Sequence, residues 1–476
     1  MKISELINGL DCEFFGNKNT EIFGLAFNDK NVSKGFAYFC LTGTKNDGHL
    51  FVKNAICNGA NAIFTQKRLN MCKNEIVVSN TRKALSLVSS KFYNDSHKHL
   101  KLIAVTGTNG KTTITYILKN ILETSGKNVA IIGTNGVIIN ESTYASGMTT
   151  PDPIFLHQMF NKMVGEGVEI CVMEASAHAL DLYKLYGLHF EVSVFTNLTQ
   201  DHLDYFGTMK NYGEAKLKLF ADDVTNIAVL CADDRFSDEI IALRKGVSLT
   251  YSKKNKCDAY CVKKVYGNGN MCLSLRVLGQ NIQIKTSLLG EYNIQNILAG
   301  VLTAKMLNIS EESICKGLVD VCVPGRFNVC WLPCGALVVI DYAHTPDAME
   351  NVLIECKKLA AGRLITVFGC GGDRDRSKRK VMGDVASRLS DLVYITSDNP
   401  RHENPLDIIN DICVGLCADA EYVREVDREK AIKTALRCSK RGDVVAILGK
   451  GNENYIDIMG EKLPYSDIEV VKEFLE

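Results

Sequence analysis

The 476-residue chain has no excess charge of either sign, because 55 lysines and arginines balance 55 aspartates and glutamates. That balance argues against the broad basic surface of a non-specific nucleic-acid binder and against an acidic tail. No apolar run approaches the ~18 residues a membrane-crossing helix needs. The opening MKISELINGLDCEF carries acids early and lacks the apolar centre of a secretory signal. CxxC pairs are also missing, despite 18 cysteines. The nearest spacings, Cys257/Cys261, Cys330/Cys334 and Cys413/Cys417, are too wide for a zinc ribbon. Many cysteines lie in apolar runs, as Cys171, Cys231 and Cys356 do, which predicts small buried hydrophobes in a reducing compartment. These features predict a cytoplasmic chain with neither nucleic-acid nor membrane partner. The lack of a coiled-coil or large apolar surface pattern predicts a monomer.

What is present is a phosphate cradle. The apolar run Leu102 to Val105 enters the turn GTNGKTT, and a helix-like run leaves it. Gly107 and Gly110 let the backbone curl around an anion through Thr108 and Asn109. Lys111 adds charge, Thr112 and Thr113 add hydroxyls, and the helix start adds its partial positive charge. A standard P-loop has a glycine where this chain has Val105. The compact form points away from generic GTPases and kinases, towards a narrower group of ATP-using enzymes.

At this length two to four domains are expected. The first block runs to about residue 99 and mixes short strands with a helix-like Phe51 to Phe64. It ends in NDSHKHLK, which reads as a linker. The second block alternates strand-like runs (NVAIIGT, EICVMEAS, VSVFTNL, NIAVLCADD) with amphipathic segments. That alternation predicts an α/β fold with a parallel, doubly wound sheet. Past Lys256 the pattern is β-rich, before a helix from Gln295 to Met306. The third block repeats a strand-then-polar-loop habit four times: ALVVIDYAHTP, RLITVFGCGGDRD, LVYITSDNPR and DVVAILGKGNEN. Ligands of such sheets collect at the carboxyl ends of the strands. The blocks are expected to be domains 1–99, 100–324 and 325–476, the last Rossmann-like.

Glu174 and His202 each follow a strand-like run, and with Thr112 they offer ligands suited to Mg²⁺ held against phosphates. Lys216, in NYGEAKLKLF, reads by itself as a solvated helix lysine. Asn293 and Asn296 read by themselves as helix-start caps, and Arg401 as a surface arginine after a turn.

Taken in order, TTPDP, MEASAHAL, FTNLTQDHLDYFGT, YGEAKLKLF, GEYNIQN, VPGRF, DYAHTPDA, GCGGDRDRSKR, DNPR and GKGNE, with GTNGKTT before them, resemble the Mur ligases over essentially the whole chain. These are ATP-dependent amino-acid ligases of peptidoglycan precursor synthesis. The likeness is greatest to the members that add the third residue. The resemblance implies that a carboxylate of UDP-N-acetylmuramoyl-L-alanyl-D-glutamate takes the γ-phosphoryl group of ATP. An incoming amine then displaces phosphate. It implies two Mg²⁺ ions, with Thr112 and Glu174 serving one and His202 the other, and a carbamate on Lys216 acting as a further ligand. Lys111, Glu174, His202 and Lys216 would be the catalytic set. ATP would meet Gly107 to Thr113, with Asn293 and Asn296 near adenine and Arg326 and Asp341 at ribose and phosphates. The UDP-sugar peptide would contact Asp29, Thr44, Lys45, Asn46, Thr149, Thr150, Ser176 and Lys184.

The loop Asp398, Asn399, Pro400 and Arg401 matches members that add meso-2,6-diaminopimelate. A guanidinium fork answers the extra carboxylate that distinguishes this amine from lysine. Arg374, Gly449 and Glu453 would complete the pocket. Departures from the family pattern are Asn28-Asp29-Lys30 in place of the usual DSR, Ala177, Lys184, Phe206, Asn328 and Asn452. The rival readings are the same ligase class accepting L-lysine or ornithine, a ligase acting on another carboxylate, and a non-catalytic nucleotide-binding protein.

Overall fold

The computed structural model describes residues 1–43, 46–267 and 270–475. Thr44 and Lys45 therefore lie outside the described residues. Three larger sheets organise the chain. The first has five strands in the order Glu13–Phe15, Glu75–Val77, Ala62–Thr65, Phe36–Phe39 and Gly24–Ala26, parallel except for the first pair.

The second sheet has eleven strands. Its parallel centre holds Lys101–Thr106 between Ile170–Glu174 and Phe190–Phe195. It continues through Val129–Gly133 on one side and Thr225–Cys231, Val247–Ser252 and Ala259–Gly267 on the other. Antiparallel strands finish both edges. The central strands are buried on both faces, which is why they read as unbroken apolar runs rather than as alternation. Helices Lys111–Thr124 and Glu291–Met306 pack on one face and Pro153–Gly165 on the other. The chain turns to opposite sides of Lys101–Thr106 here, a topological switch point, and the phosphate loop leaves this strand.

The third sheet has six strands in the order Asn328–Trp331, Leu337–Asp341, Val444–Leu448, Leu364–Phe368, Leu392–Ile395 and Tyr422–Arg424. Only the first is antiparallel. The hairpin Tyr455–Ile458 and Glu461–Pro464 follows it.

Local expectations needed correction in several places. The run from Phe51 to Phe64 is not one helix: Val52–Cys57 is helical, and Ala62–Thr65 is a strand. Asn58 and Gly59, the latter at φ +101°, turn the chain between them. The polar stretch expected to be a linker is a 3₁₀ turn, Ser96–His99, with Ser96 and His97 buried. The helix expected from Gln295 starts at Glu291 after Gly290, so Asn293 and Asn296 sit inside it and are not caps. No helix among the described residues is long and apolar enough to cross a membrane.

Candidate active site

The phosphate loop is tied down by the neighbouring strand end. Gly107 and Gly110 adopt φ of +143° and +88°, open to glycine and costly for other residues. The Thr108 and Asn109 amides donate to the Asn197 carbonyl and Oδ1, both at 2.9 Å, and Thr196 Oγ1 donates to the Asn109 carbonyl at 2.6 Å. Lys111 Nζ donates to the Gly107 and Thr108 carbonyls at 2.9 and 2.8 Å. Burial lowers its pKa, while Glu174 and Asp201 oppose that shift. The ammonium thus curls over its own loop.

Thr112 Oγ1 donates to Glu174 Oε1 at 2.9 Å, and the Thr134 amide donates to the same oxygen at 2.9 Å. Arg326 Nη2 reaches Thr112 Oγ1 at 3.2 Å from the third sheet's side. Gly133 is required by this arrangement, since a Cβ there would crowd Glu174 Oε1 and lie 2.9 Å from Cδ. A hydroxyl and a carboxylate are hard oxygen donors of the kind Mg²⁺ takes.

His202 adopts φ +55° and places Nε2 3.3 Å from Asp201 Oδ2, with the His178 ring edge-on at 4.7 Å. Burial lowers the His202 pKa and keeps the imidazole neutral, against the pull of Asp201. Asp201 is lowered despite burial, because His202 and Lys378 face it. Lys378 Nζ lies 3.9 Å from Asp201 Oδ1.

Lys216 is 1% exposed, which overturns the solvated reading. Its ammonium lies 4.5 Å from the Tyr212 ring centroid, and it forms no ion pair with any described residue. Burial, and secondarily Lys111, pushes its pKa well down. Among the described residues no group of three or more His, Cys, Asp or Glu converges on one metal position. Thr112 and Glu174 touch, whereas His202 stands with Asp201 and Lys216 against Tyr212.

A cavity of about 240 Å³ opens between the second and third sheets. Its walls include Asn109, Thr112, Asn293, Asn296, Arg326 and Asp341, so the residues expected around ATP share one cleft. Asp341 accepts from the Phe327 and Ala343 amides, both at 2.7 Å, while burial raises its pKa. Tyr251, Lys253, Tyr292, Gln295 and Asp347 also line the cleft and escaped the sequence reading. Asp347 accepts from Asn109 Nδ2 at 2.9 Å across the cleft. Its place after DYAHTP, at a helix start, was the only available signal.

Thr149, Thr150, Ser176 and Lys184 form a second group beside Glu174. Thr150 Oγ1 donates to the Glu174 carbonyl at 2.8 Å and accepts from the Ser176 amide at 3.0 Å. Thr149 Oγ1 lies 3.2 Å from Thr134 Oγ1, and Lys184 Nζ lies 2.9 Å from Asp152 Oδ1. Asp29 belongs to the first sheet's unit, where it accepts from Asn54 Nδ2 at 3.2 Å and, through its carbonyl, from Asn58 Nδ2 at 2.9 Å. Asn46 is exposed in the same unit.

The third group gathers at the carboxyl end of the third sheet. Arg401, at φ +50°, donates through Nη1 to the Gly372 carbonyl at 2.7 Å. Asn399 Nδ2 donates to Glu453 Oε2 at 2.9 Å, and the wholly buried Lys450 donates to Asn399 Oδ1 and Glu453 Oε2, both at 3.1 Å. Asp398 is buried below, held ionised against burial by Lys450 and Arg428. A Cβ on Gly449 would sit 2.7 Å from Asp398 Oδ2. Pro400 accepts from the Glu403 amide at 3.0 Å through its carbonyl, and Arg374 is exposed at the rim. Sequence reasoning missed Lys450, although it stands within GKGNE.

Three family models match in succession. They are the Mur ligase family catalytic domain over residues 21–98, the Mur ligase middle domain over 105–304 and the Mur ligase glutamate ligase domain over 325–451. The chain is 41% identical over 452 residues to an Aquifex aeolicus protein named UDP-N-acetylmuramoyl-L-alanyl-D-glutamate--2,6-diaminopimelate ligase, covering 95% of this chain and 93% of that one. A Clostridium perfringens protein of the same name is 40% identical over 490 residues, with all of both chains covered. A solved structure of a ligase so named matches with TM-score 0.71 and 31% identity, covering 100% of this chain and 98% of that one. A Mycobacterium tuberculosis folylpolyglutamate synthase, 15% identical with TM-score 0.65 over 78% of this chain and 92% of that one, shares the fold alone. With full-length relatives near 40% identity and all three models placed in order, the chain belongs to the Mur ligase family.

Proposed function

We propose that this protein is the ATP-dependent ligase that adds meso-2,6-diaminopimelate to UDP-N-acetylmuramoyl-L-alanyl-D-glutamate in cytoplasmic peptidoglycan precursor synthesis, working as a monomer. Units 1–99, 100–324 and 325–476 would hold the UDP-sugar, ATP and the amino acid. The observation that carries the choice of amine is Arg401, part-buried at the end of the third sheet with Nε 3.7 Å from Asp457 Oδ2 and Nη1 on the Gly372 carbonyl. The extra carboxylate of diaminopimelate would take up the guanidinium in place of Asp457, an exchange that lysine cannot offer. Asp398, Asn399, Pro400, Gly449 and Glu453 would wall the pocket, with Arg374 at its mouth.

Lys111 would leave its loop carbonyls for the ATP phosphates, exchanging two internal hydrogen bonds for charge-assisted ones. Thr149, Thr150, Ser176 and Lys184 would hold the peptide so that its terminal carboxylate faces the γ-phosphorus. Thr44, Lys45, Asn46 and Asp29 would hold the uridine end. Arg326 and Asp341 would clamp the nucleotide, with Asn293 and Asn296 towards adenine. Phosphoryl transfer would give an acyl phosphate and ADP, and amine attack would release phosphate through a tetrahedral intermediate. Mg²⁺ beside Thr112 and Glu174, and a second ion beside His202, would neutralise the charge of two approaching anions. Lys216 fits a carbamate, because burial favours the free amine over the ammonium, and the free amine is the form that takes up CO₂ with loss of a proton. The resulting anion would answer the positive charge of the site.

Phosphate release tests the reading, with ATP, Mg²⁺ and UDP-N-acetylmuramoyl-L-alanyl-D-glutamate, comparing meso-diaminopimelate with L-lysine. Turnover with diaminopimelate is expected. Turnover with lysine alone would overturn the Arg401 argument, and no release with either would overturn the function.

A further inference from the structure

Two loops of the group around Arg401 start from strands that are not neighbours. Asp398 to Arg401 follow Leu392–Ile395, and Gly449 to Glu453 follow Val444–Leu448, with Leu364–Phe368 between the two strands. Backbone pairing joins the loop roots only through that third strand. One side chain joins them directly. Arg428 opens the helix Arg428–Cys438 and donates through Nη1 to the Ser397 carbonyl at 3.2 Å and through Nη2 to the Leu448 carbonyl at 2.9 Å. Each carbonyl belongs to the residue just before one of the loops. Asp467 holds the same guanidinium, accepting from Nε at 2.8 Å and from Nη2 at 2.7 Å, and neither side chain is exposed. Asp467 opens the last helix, Asp467–Leu475, which packs on Arg428–Cys438. A buried ion pair gains little over apolar side chains of the same size, so stability does not account for this one. What the pair adds is direction, since one planar fork fixes acceptors on three separate segments. Against burial, its charge also joins that of Lys450 in keeping Asp398 ionised.

We infer that Arg428, locked by Asp467, is a positioning residue that fixes these two loops relative to each other and so sets the affinity for the incoming diamino acid, an inference that rests on this pocket being the amine site. Being wholly buried, Arg428 acts through the loops and not on the substrate. The C-terminal helix thereby belongs to the amine site without touching the amine.

Phosphate release by the full-length protein tests this, with meso-diaminopimelate, ATP and UDP-N-acetylmuramoyl-L-alanyl-D-glutamate varied in turn. Arg428→Met combined with Asp467→Val replaces the pair by apolar side chains of similar size, an exchange that often leaves stability intact. It should raise KM for diaminopimelate about tenfold, the cost of one charge-assisted hydrogen bond out of place, and leave KM for ATP within about twofold. Arg428→Lys keeps a charge for Asp467, but a single ammonium cannot fork to both carbonyls, so it should fold and show the same selective rise. Wild-type KM for diaminopimelate in either folded variant overturns the inference, as does an equal rise in KM for all three substrates. If the double variant does not fold, Arg428→Lys decides alone, and failure of both to fold overturns the inference in favour of a purely structural pair. Use of lysine in place of diaminopimelate by the unaltered protein would overturn the choice of amine, and the same comparison with lysine would then decide the positioning role. No release with either amine overturns both.

Discussion

Gly133→Ala is a one-carbon change at the end of a buried strand, and its predicted effect separates catalysis from stability. Gly133 does not need a positive φ, so alanine costs the backbone nothing. The new methyl carbon would lie 2.9 Å from Glu174 Cδ and 3.1 Å from Cγ, and nearer still to Oε1. The carboxylate must swing away by about 1 Å, and a misplacement of that size costs on the order of 10²-fold in rate, or ~2.7 kcal/mol of transition-state stabilisation. It would also give up the bonds from Thr112 Oγ1 and the Thr134 amide. The far end of a side chain can move, so the fold should lose only about 1–3 kcal/mol. Steady-state phosphate release at varied Mg²⁺ should therefore show kcat reduced about 10²-fold and a raised Mg²⁺ requirement. Thermal unfolding should show a modest drop. Gly165→Ala is the control, because nothing lies within 4 Å of a Cβ there. Wild-type kcat and Mg²⁺ dependence in Gly133→Ala would refute the idea that Glu174 must sit where Gly133 allows it.

Lys216→Ala should abolish activity, and added bicarbonate with a short-chain carboxylate should restore part of it; full unrescued activity would rule out a carbamate. Arg401→Met should cut kcat/KM for meso-diaminopimelate about 10²–10³-fold while changing lysine use less than about tenfold, which competition between the two amines reads directly. Acid should destabilise the protein through His97 and His157, whose pKa values burial lowers to about 4 and about 3. The unfolded chain takes up their protons below about pH 6.5 and the native one does not. Stability is thus full above that pH and falls as pH drops towards 4, by ~2 kcal/mol per imidazole at pH 5. Urea unfolding at pH 7 and pH 5 checks this, and His157→Phe should flatten the slope.

The phosphate loop was legible because its chemistry is local: strand, turn and helix lie within one short stretch. The parallel sheet was legible because strands buried on both faces must be apolar throughout. What failed was of two kinds. In Phe51 to Phe64 an apolar periodicity hid the Asn58-Gly59 turn, and the run crossed from helix to strand unnoticed. Lys216 looked solvated because its helix packs against the short helices Ala177–Asp181 and Leu203–Phe206, neighbours that spacing along one helix does not reveal. Asp347 and Lys378 were missed for a related reason, since each acts on a residue from a distant part of the chain. Lys450 has no exposed role at all; its work is to fix Asn399 and Glu453.

The group around Arg401 is built from loops at one end of one sheet and from the hairpin strand Tyr455–Ile458, so as an amino-acid pocket it would be portable. A C-terminal unit from a lysine-adding relative could be grafted after residue 324 to change the accepted amine while leaving Lys111, Glu174, His202 and Lys216 untouched. The graft would carry obligations at the seam. It must still present a carboxylate to Asn109, as Asp347 does, an acceptor and hydroxyl to Gln200, as Asp375 and Ser377 do, and a cation to Asp201, as Lys378 does. Recombination between relatives would therefore be limited less by the amino-acid pocket than by this short list of polar handshakes.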